Sequence, residues 1–226
     1  MVNIAGQLIP HFPPEYISDN CQAIDFCNGF VVCASGFCIH FSYLNNNHLT
    51  RAYSFPISNI PITALRFHPS SNRLAIGNNK GTVYLFDVYK RAVVARATSG
   101  NREDDPILSL EWHEDELFAL YQSQKLCCLS YSPTFSDTSK QFSHIVCLWT
   151  VTIPAPYNRM SLDPHNHDKI LFSGSGASFS VYKLSETGGP PNPALKIVTL
   201  NGAGNVNDAT WSIHLPNYIF LLTDSE

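Results

Sequence analysis

The sequence predicts an all-β chain built from short antiparallel strands, and three observations carry that expectation. Aromatic residues reach 12%, with 14 Phe and 10 Tyr against 2 Met, a balance that favours pleated strands over long helices. Apolar residues make up 44% and charged residues 14% of the 226 positions, against about 25% charged in an average soluble domain, so the chain can bury a core and disorder is not expected. Short alternating segments recur along the sequence at regular intervals.

The recurrence is found by phase. AIDF (23–26), ALRF (64–67), SLEW (109–112), RMSL (159–162) and DATW (208–211) each place apolar residues two apart and close on an aromatic or Leu. Their closing residues, Phe26, Phe67, Trp112, Leu162 and Trp211, lie 41, 45, 50 and 49 positions apart, a spacing that suits the blades of a β-propeller. After an N-terminal extension over 1–20, the units run over about 21–58, 59–100, 104–153, 156–201 and 205–226.

Each unit is justified by the same signals. The first reads QAIDF, FVVCASG, CIHFSYL and LTRAYSF, with hairpins at Asn28-Gly29 and Ser35-Gly36. In the second, ITALRFH alternates, a turn follows at His68 to Asn72, and NRLAIG, TVYLFDV and RAVVARA supply three more strands. Asn79-Lys80-Gly81 provides the positive-φ residue that a tight hairpin requires. The third unit reads ILSLEWH, ELFALY, KLCCLSY and HIVCLWTV, with a polar insertion over 132–143. The fourth reads NRMSLDP, KILFSG, SFSVYKL and LKIVTL, and its insertion over 185–194 is too rich in Pro and Gly for regular pairing. The fifth begins with NDATWSIH and YIFLLT. Propellers close rings of four to eight blades, and four blades and part of a fifth can hardly close a seven-blade ring. The expectation is therefore an incomplete propeller, a fragment of a longer polypeptide or a truncated product, prone to poor solubility or to dimerisation through an open edge.

Charge and composition narrow the function. A formal charge of −4 and a pI near 6.1 oppose a phosphate-binding surface, so nucleic acid is not an expected partner. The segment from Cys27 to Leu49 lacks charge, but Asn28, Ser35, His40, Ser42 and Asn45 to Asn47 interrupt it; no run of about 20 apolar residues exists, and membrane insertion is not expected. The opening MVNIAGQLIPHFPPEY lacks a cationic start followed by an apolar stretch, so a cytoplasmic location is expected. Seven cysteines, Cys21, Cys27, Cys33, Cys38, Cys127, Cys128 and Cys147, are read as free buried thiols, because their spacing does not match paired zinc ligands.

Several clusters invite chemistry. Asp163-Pro164-His165-Asn166-His167-Asp168 holds two imidazoles and two carboxylates within six residues, yet its phase makes it an exposed polar turn, and a zinc site would need a further ligand. His144 and Cys147 share an apolar strand and are read as core rather than as a base and nucleophile. Gly174-Ser175-Gly176 is a hairpin and, without a following helix, no phosphate cradle. No catalytic, cofactor or metal residue is assigned. The candidate interaction residues are the acidic runs Glu103-Asp104-Asp105 and Glu114-Asp115-Glu116, at opposite ends of one strand, where they would steer a basic partner in a salt-dependent way.

The second unit, FHPSSNRLAIGNNKGTVYLFDV, resembles a WD40 repeat, with Phe86-Asp87 where the family usually carries Trp-Asp. No unit has the family's Gly-His dipeptide, and Lys80 replaces the usual hairpin Asp. Leu148-Trp149, the stretch 159–193, VNDATWSIHLPNYIFLL (206–222) and the opening AIDFCNGFVVCASGFCIHF (23–41) further resemble the N-terminal propeller of the family of WD repeat-containing protein 11, large chains with two propellers. That resemblance implies a non-enzymatic scaffold whose partners are the proteins of a cytosolic complex, one that captures endosome-derived vesicles at the trans-Golgi network and is linked to ciliary signalling. The remaining blades would lie on a longer chain. Two other readings stay open. A propeller hydrolase would need carboxylates or His converging from several blades at one phase, and the residues just after each first strand, Cys27, His68, His113, Asp163 and Ser212, do not repeat a ligand set. A peptide-recognition module for acidic or modified peptides would need Arg66 and Arg159 on one face.

Overall fold

The computed structural model describes residues 21–27, 29–45, 48–98, 104–132, 143–185, 188–191, 196–200 and 204–224. The N-terminal extension over 1–20 lies outside them, as does nearly all of the polar insertion after the third unit's third strand.

All regular structure among the described residues is strand. The first sheet takes Cys21–Cys27 (β1), Phe30–Ser35 (β2), Cys38–Asn45 (β3) and His48–Pro56 (β4) in sequential antiparallel order. Its hairpins turn at Gly29, with φ +80°, and Gly36, with φ +58°, conformations that only glycine adopts without strain. Ile62–Phe67 (β5), Arg73–Asn78 (β6), Thr82–Asp87 (β7) and Ala92–Thr98 (β8) follow the same plan. There Gly81 takes φ +74°, and the Asn78 side chain accepts the Lys80 and Thr82 N–H groups at 3.0 and 2.9 Å. Ile107–His113 (β9), Glu116–Tyr121 (β10), Lys125–Ser132 (β11) and Ser143–Thr152 (β12) make the third group, and Arg159–Leu162 (β13), Lys169–Ser175 (β14), Ser178–Lys183 (β15) and Lys196–Thr199 (β16) the fourth. Val206–Trp211 (β17) and Ile219–Thr223 (β18) form a two-stranded sheet.

The architecture is an all-β, incomplete WD40-like propeller, with one departure from independent blades. The second and third groups join into a single eight-stranded sheet, because Ser143 and His144 at the start of β12 pair in parallel with Ala95 and Arg96 of β8. β12 is the longest strand among the described residues, at ten residues, and its start lies between β11, where His144 pairs with Ser132, and the outer edge of the neighbouring blade.

Sheets stack face to face through four apolar layers. Between the first and second lie Val32, Ile39, Phe41, Phe67, Ile76 and Phe86, with Phe41 stacked on Phe86 at 5.7 Å. Between the second and third lie Ala75, Leu85, Ile107, Leu110 and Trp112. The approach there is close: a Cβ on Gly77 would sit 2.7 Å from Ile107 Cγ2. Phe118, Leu126, Met160, Ile170 and Phe172 fill the next layer, and Leu171, Val206, Ala209 and Trp211 the last.

The seven cysteines form no disulfide, but against the expectation of buried thiols only Cys128 is buried; Cys21 and Cys147 are exposed. Cys147 corrects the reading of its strand as core. β12 is the last strand of its blade, and its outer face carries Val146 and Leu148 in the open.

Candidate functional site: the axial channel and its rim

The innermost strands β1, β5, β9, β13 and β17 pack successively around one axis. Because side chains alternate along a strand, each closing residue turns toward the preceding sheet, and the residue before it turns toward the following one. That preceding column reads Asp25, Arg66, Glu111, Ser161 and Thr210. Neighbours along it meet at three of the four joints around the axis. Asp25 accepts the Phe67 N–H through Oδ2 at 2.5 Å and lies 3.8 Å from Arg66 Nη1 through Oδ1. Arg66 Nη2 is 2.9 Å from Glu111 Oε2. The Ser161 and Thr210 hydroxyls are 3.1 Å apart. Two tryptophans of the closing column fasten the same joints: Trp112 donates its indole N–H to the Arg66 carbonyl, and Trp211 to the Ser161 carbonyl, each at 3.1 Å.

Two cavities lie along this axis. One of about 350 Å³ is lined by the starts of all five inner strands, including Thr63, Ser109, Arg159 and Asp208. The other, of about 240 Å³, lies at their far ends among Phe26, Pro69, Trp112, Asp163 and His167. Arg66 and Glu111 line both, so the ion pair stands as the partition of the channel. Burial pushes the Glu111 carboxyl up to about 7, outweighing the adjacent guanidinium that favours its charged form. Its net charge therefore changes within the neutral range.

Arg66 and Arg159 line the same cavity, as the peptide-recognition reading requires. Arg66 is already held between two carboxylates, however, and Arg159 donates to the Leu108 carbonyl at 3.3 Å.

The column after the closing residues does not form the ligand set that a hydrolase would need. His68 Nδ1 accepts the Ser70 N–H at 3.1 Å, Asp163 Oδ1 accepts the His165 N–H at 3.0 Å, and Ser212 Oγ accepts the His214 N–H at 3.3 Å. Each side chain thus holds the backbone two residues on, the local turn motif for which such acceptors are suited. Burial lowers the His68 pKa, which keeps Nδ1 free to accept. His113 instead stacks on Phe118 at 5.7 Å, and Cys27 points toward the His68 carbonyl at 4.0 Å. The turn at 163–168 is in place, but Asp163 is fully buried rather than exposed. His165 Nε2 lies 3.0 Å from the Ser212 carbonyl oxygen, and Lys169 is 3.9 Å from the second Asp163 oxygen. Among the described residues no group of His, Cys, Asp and Glu is placed to hold a metal ion.

The acidic runs divide by environment. Asp104 is exposed, 3.1 Å from Lys80 Nζ. Asp105 departs from the expectation of a partner-facing side chain. It is 6% exposed, and its carboxylate accepts the Ser123 N–H and hydroxyl at 2.9 and 2.7 Å. At the other end of β9, Glu114 is exposed with φ +53°, and exposed Asp115 sits 3.5 Å from His68 Nε2 and 3.9 Å from Arg73. Glu116 is half-buried, with the Cys128 thiol directed at it from 3.4 Å. Glu103 lies outside the described residues, and so does the side chain of His144.

Sequence reasoning singled out neither Asp25 nor Glu111. The signal was present in the repeat itself, since the column one position before the closing residues reads Asp, Arg, Glu, Ser, Thr, polar at every unit.

Residues 43–115 match the family profile of the Anaphase-promoting complex subunit 4 WD40 domain. The matched stretch begins in β3, includes the whole second blade and ends at Asp115, just past β9. It supports placing the chain among WD40-repeat proteins, a class built as propellers that hold other proteins. No curated protein matches the chain.

Proposed function

We propose that this chain is a non-enzymatic scaffold of a cytosolic protein complex, acting in the tethering of endosome-derived vesicles at the Golgi and bearing on ciliary signalling. The observation that carries the scaffold reading is the use made of the polar side chains around the axis. Asp25, Arg66 and Glu111 are bound to one another, and His68, Asp163 and Ser212 hold turns. The rim, by contrast, presents Asp104, Glu114 and Asp115 to solvent on rigid sheets. Loops on such a frame are where partners bind. Glu103, Asp104, Glu114, Asp115 and the outer part of Glu116 would steer a basic surface toward the propeller, raising association rates at low salt. The resemblance of 159–193 and 206–222 to the two-propeller family supports the trafficking role, and the matched family's printed name, a subunit of a multiprotein complex, supports assembly in a complex.

Proximity biotinylation from the tagged chain in cells tests the reading. Enrichment of vesicle-tethering and Golgi proteins is expected. Enrichment of anaphase-promoting complex subunits instead would replace the trafficking assignment while keeping the scaffold. For a captured partner, Asp104→Lys with Asp115→Lys is expected to slow association and flatten its dependence on ionic strength; unchanged association rates would discard the role of the acidic rim.

A further inference from the structure

The residues that seal each junction between blades are repeated once more at either end of the arc, where none of the described residues packs over them. In β1, Ile24 and Phe26 are 56% and 55% exposed. Their counterparts in the later inner strands are Leu65 and Phe67, Leu110 and Trp112, Met160 and Leu162, and Ala209 and Trp211, all at 9% or less. The difference is one of position. Each counterpart faces a preceding sheet and belongs to the apolar layer shared with it, whereas Ile24 and Phe26 have no described sheet before them. Ala23 and Cys27, which alternate with them, pack forward into the layer shared with the second sheet.

The opposite end shows the complementary half. Thr210 pairs with Phe220 and Asp208 with Leu222 across β17 and β18, so these four share one face. All four are exposed, Phe220 and Leu222 at 56% and 62%. The other face of the same two strands, with Ala209, Trp211 and Ile219, packs back on the fourth sheet. One chain thus carries both halves of the junction that it makes four times internally: a backward face on the first sheet and a forward face on the last.

We propose that two copies of this chain associate head to tail, with the Ile24–Phe26 face of one seated on the Phe220–Leu222 face of the next. A second copy is the occupant because each face meets on the other copy the kind of surface against which its repeat mates already pack in the same chain. At the axis, Thr210 of one copy would approach the Phe26 N–H of the next as the Ser161 hydroxyl approaches the Trp211 N–H at 3.4 Å. Such an interface is heterologous, each half on a different surface, and it closes or propagates according to the rotation it imposes. It is independent of which partner the rim binds.

The experiment is sedimentation velocity on the full 226-residue chain across a concentration series, with Phe26→Glu, Leu222→Glu and an equimolar mixture of the two. The wild type is expected to rise from 25.1 kDa to at least twice that mass. Each variant alone lacks one half of every possible junction and is expected to stay at the monomer mass. The mixture retains one intact pair of faces and is expected to recover a species of twice that mass. A wild type that remains monomeric throughout, single variants that associate as the wild type does, or a mixture that stays monomeric would each overturn the proposal. Circular dichroism confirms that the variants fold; should Phe26→Glu not fold, Ile24→Lys takes its place with the same expected outcomes.

Discussion

Trp112, near the end of β9, is 5% exposed and fills the layer between the second and third blades, with its ring 4.7 Å from that of His68. Its indole N–H donates to the Arg66 carbonyl at 3.1 Å. Trp112→Phe keeps an aromatic ring but removes that donor and the second ring. An unsatisfied buried carbonyl costs about 1–3 kcal/mol, and the space left by the missing atoms adds on the order of 1 kcal/mol. The expected loss is therefore about 2–4 kcal/mol, or roughly 5–15 °C in melting temperature for a chain of this size. Trp211→Phe is expected to behave alike, since Trp211 is 7% exposed and donates to the Ser161 carbonyl at the same distance. Trp149 is the control. Its indole also makes a hydrogen bond, to the Gly188 carbonyl at 2.8 Å, but that bond is exposed and water replaces the partner, while the half-buried six-membered ring is kept beside Phe118, so Trp149→Phe is expected to cost about 1 kcal/mol or less. Thermal and urea unfolding followed by circular dichroism would measure all three. If Trp112→Phe proved no more costly than Trp149→Phe, the joint between inner strands would not be the stabilising element described here.

Further outcomes follow from neighbouring features. Gly77→Ala places a Cβ 2.7 Å from Ile107 Cγ2 and 2.8 Å from Ile107 Cβ, and is expected to cost about 1–3 kcal/mol by overpacking; the double variant with Ile107→Ala, which removes Cγ2, should cost less than the sum of the two single changes, and strictly additive urea midpoints would contradict the contact. Glu111 is raised from 4.5 to about 7 by burial, so the folded state holds a proton that the unfolded chain releases. Its contribution is present below pH 4.5 and lost as pH rises through about 7, by up to about 3 kcal/mol. Wild type should accordingly lose stability relative to Glu111→Gln between pH 4.5 and 8, and parallel pH profiles would refute this. Asp105→Ala strips two hydrogen bonds from Ser123 and is expected to cost about 1–2 kcal/mol, whereas Asp104→Ala removes only an exposed pair with Lys80 and is expected to cost under about 0.5 kcal/mol; equal melting temperatures would erase the distinction between them.

Much of the fold was legible because strand and turn signals are local. Alternation at ITALRF and TVYLFD, and glycines at 29, 36 and 81, describe the chain within a few residues of themselves, and β5, β7 and the positive-φ turns stand where those patterns place them. The join between β8 and β12 was not legible, since it depends on where the end of a long strand falls after four strands have been laid down. The exposure of Cys147 was missed for a related reason: an apolar outermost strand reads like an inner one.

The site divides along the same line. The repeat by itself contains the polar column Asp25, Arg66, Glu111, Ser161, Thr210 one position before the closing residues, and it places Cys27, His68, His113, Asp163 and Ser212 one position after them, although Cys27 and His113 still belong to β1 and β9. Only the tertiary structure decided that Asp25, Arg66 and Glu111 form one ion cluster across three blades, that His68, Asp163 and Ser212 hold the backbone of those turns, and that Asp105 points inward while Asp104 does not. Phase along a strand is set by the alternation of neighbouring side chains, but which groups meet across an axis depends on residues more than forty positions apart being brought within about 4 Å, a distance set by the packing of the apolar layers between blades.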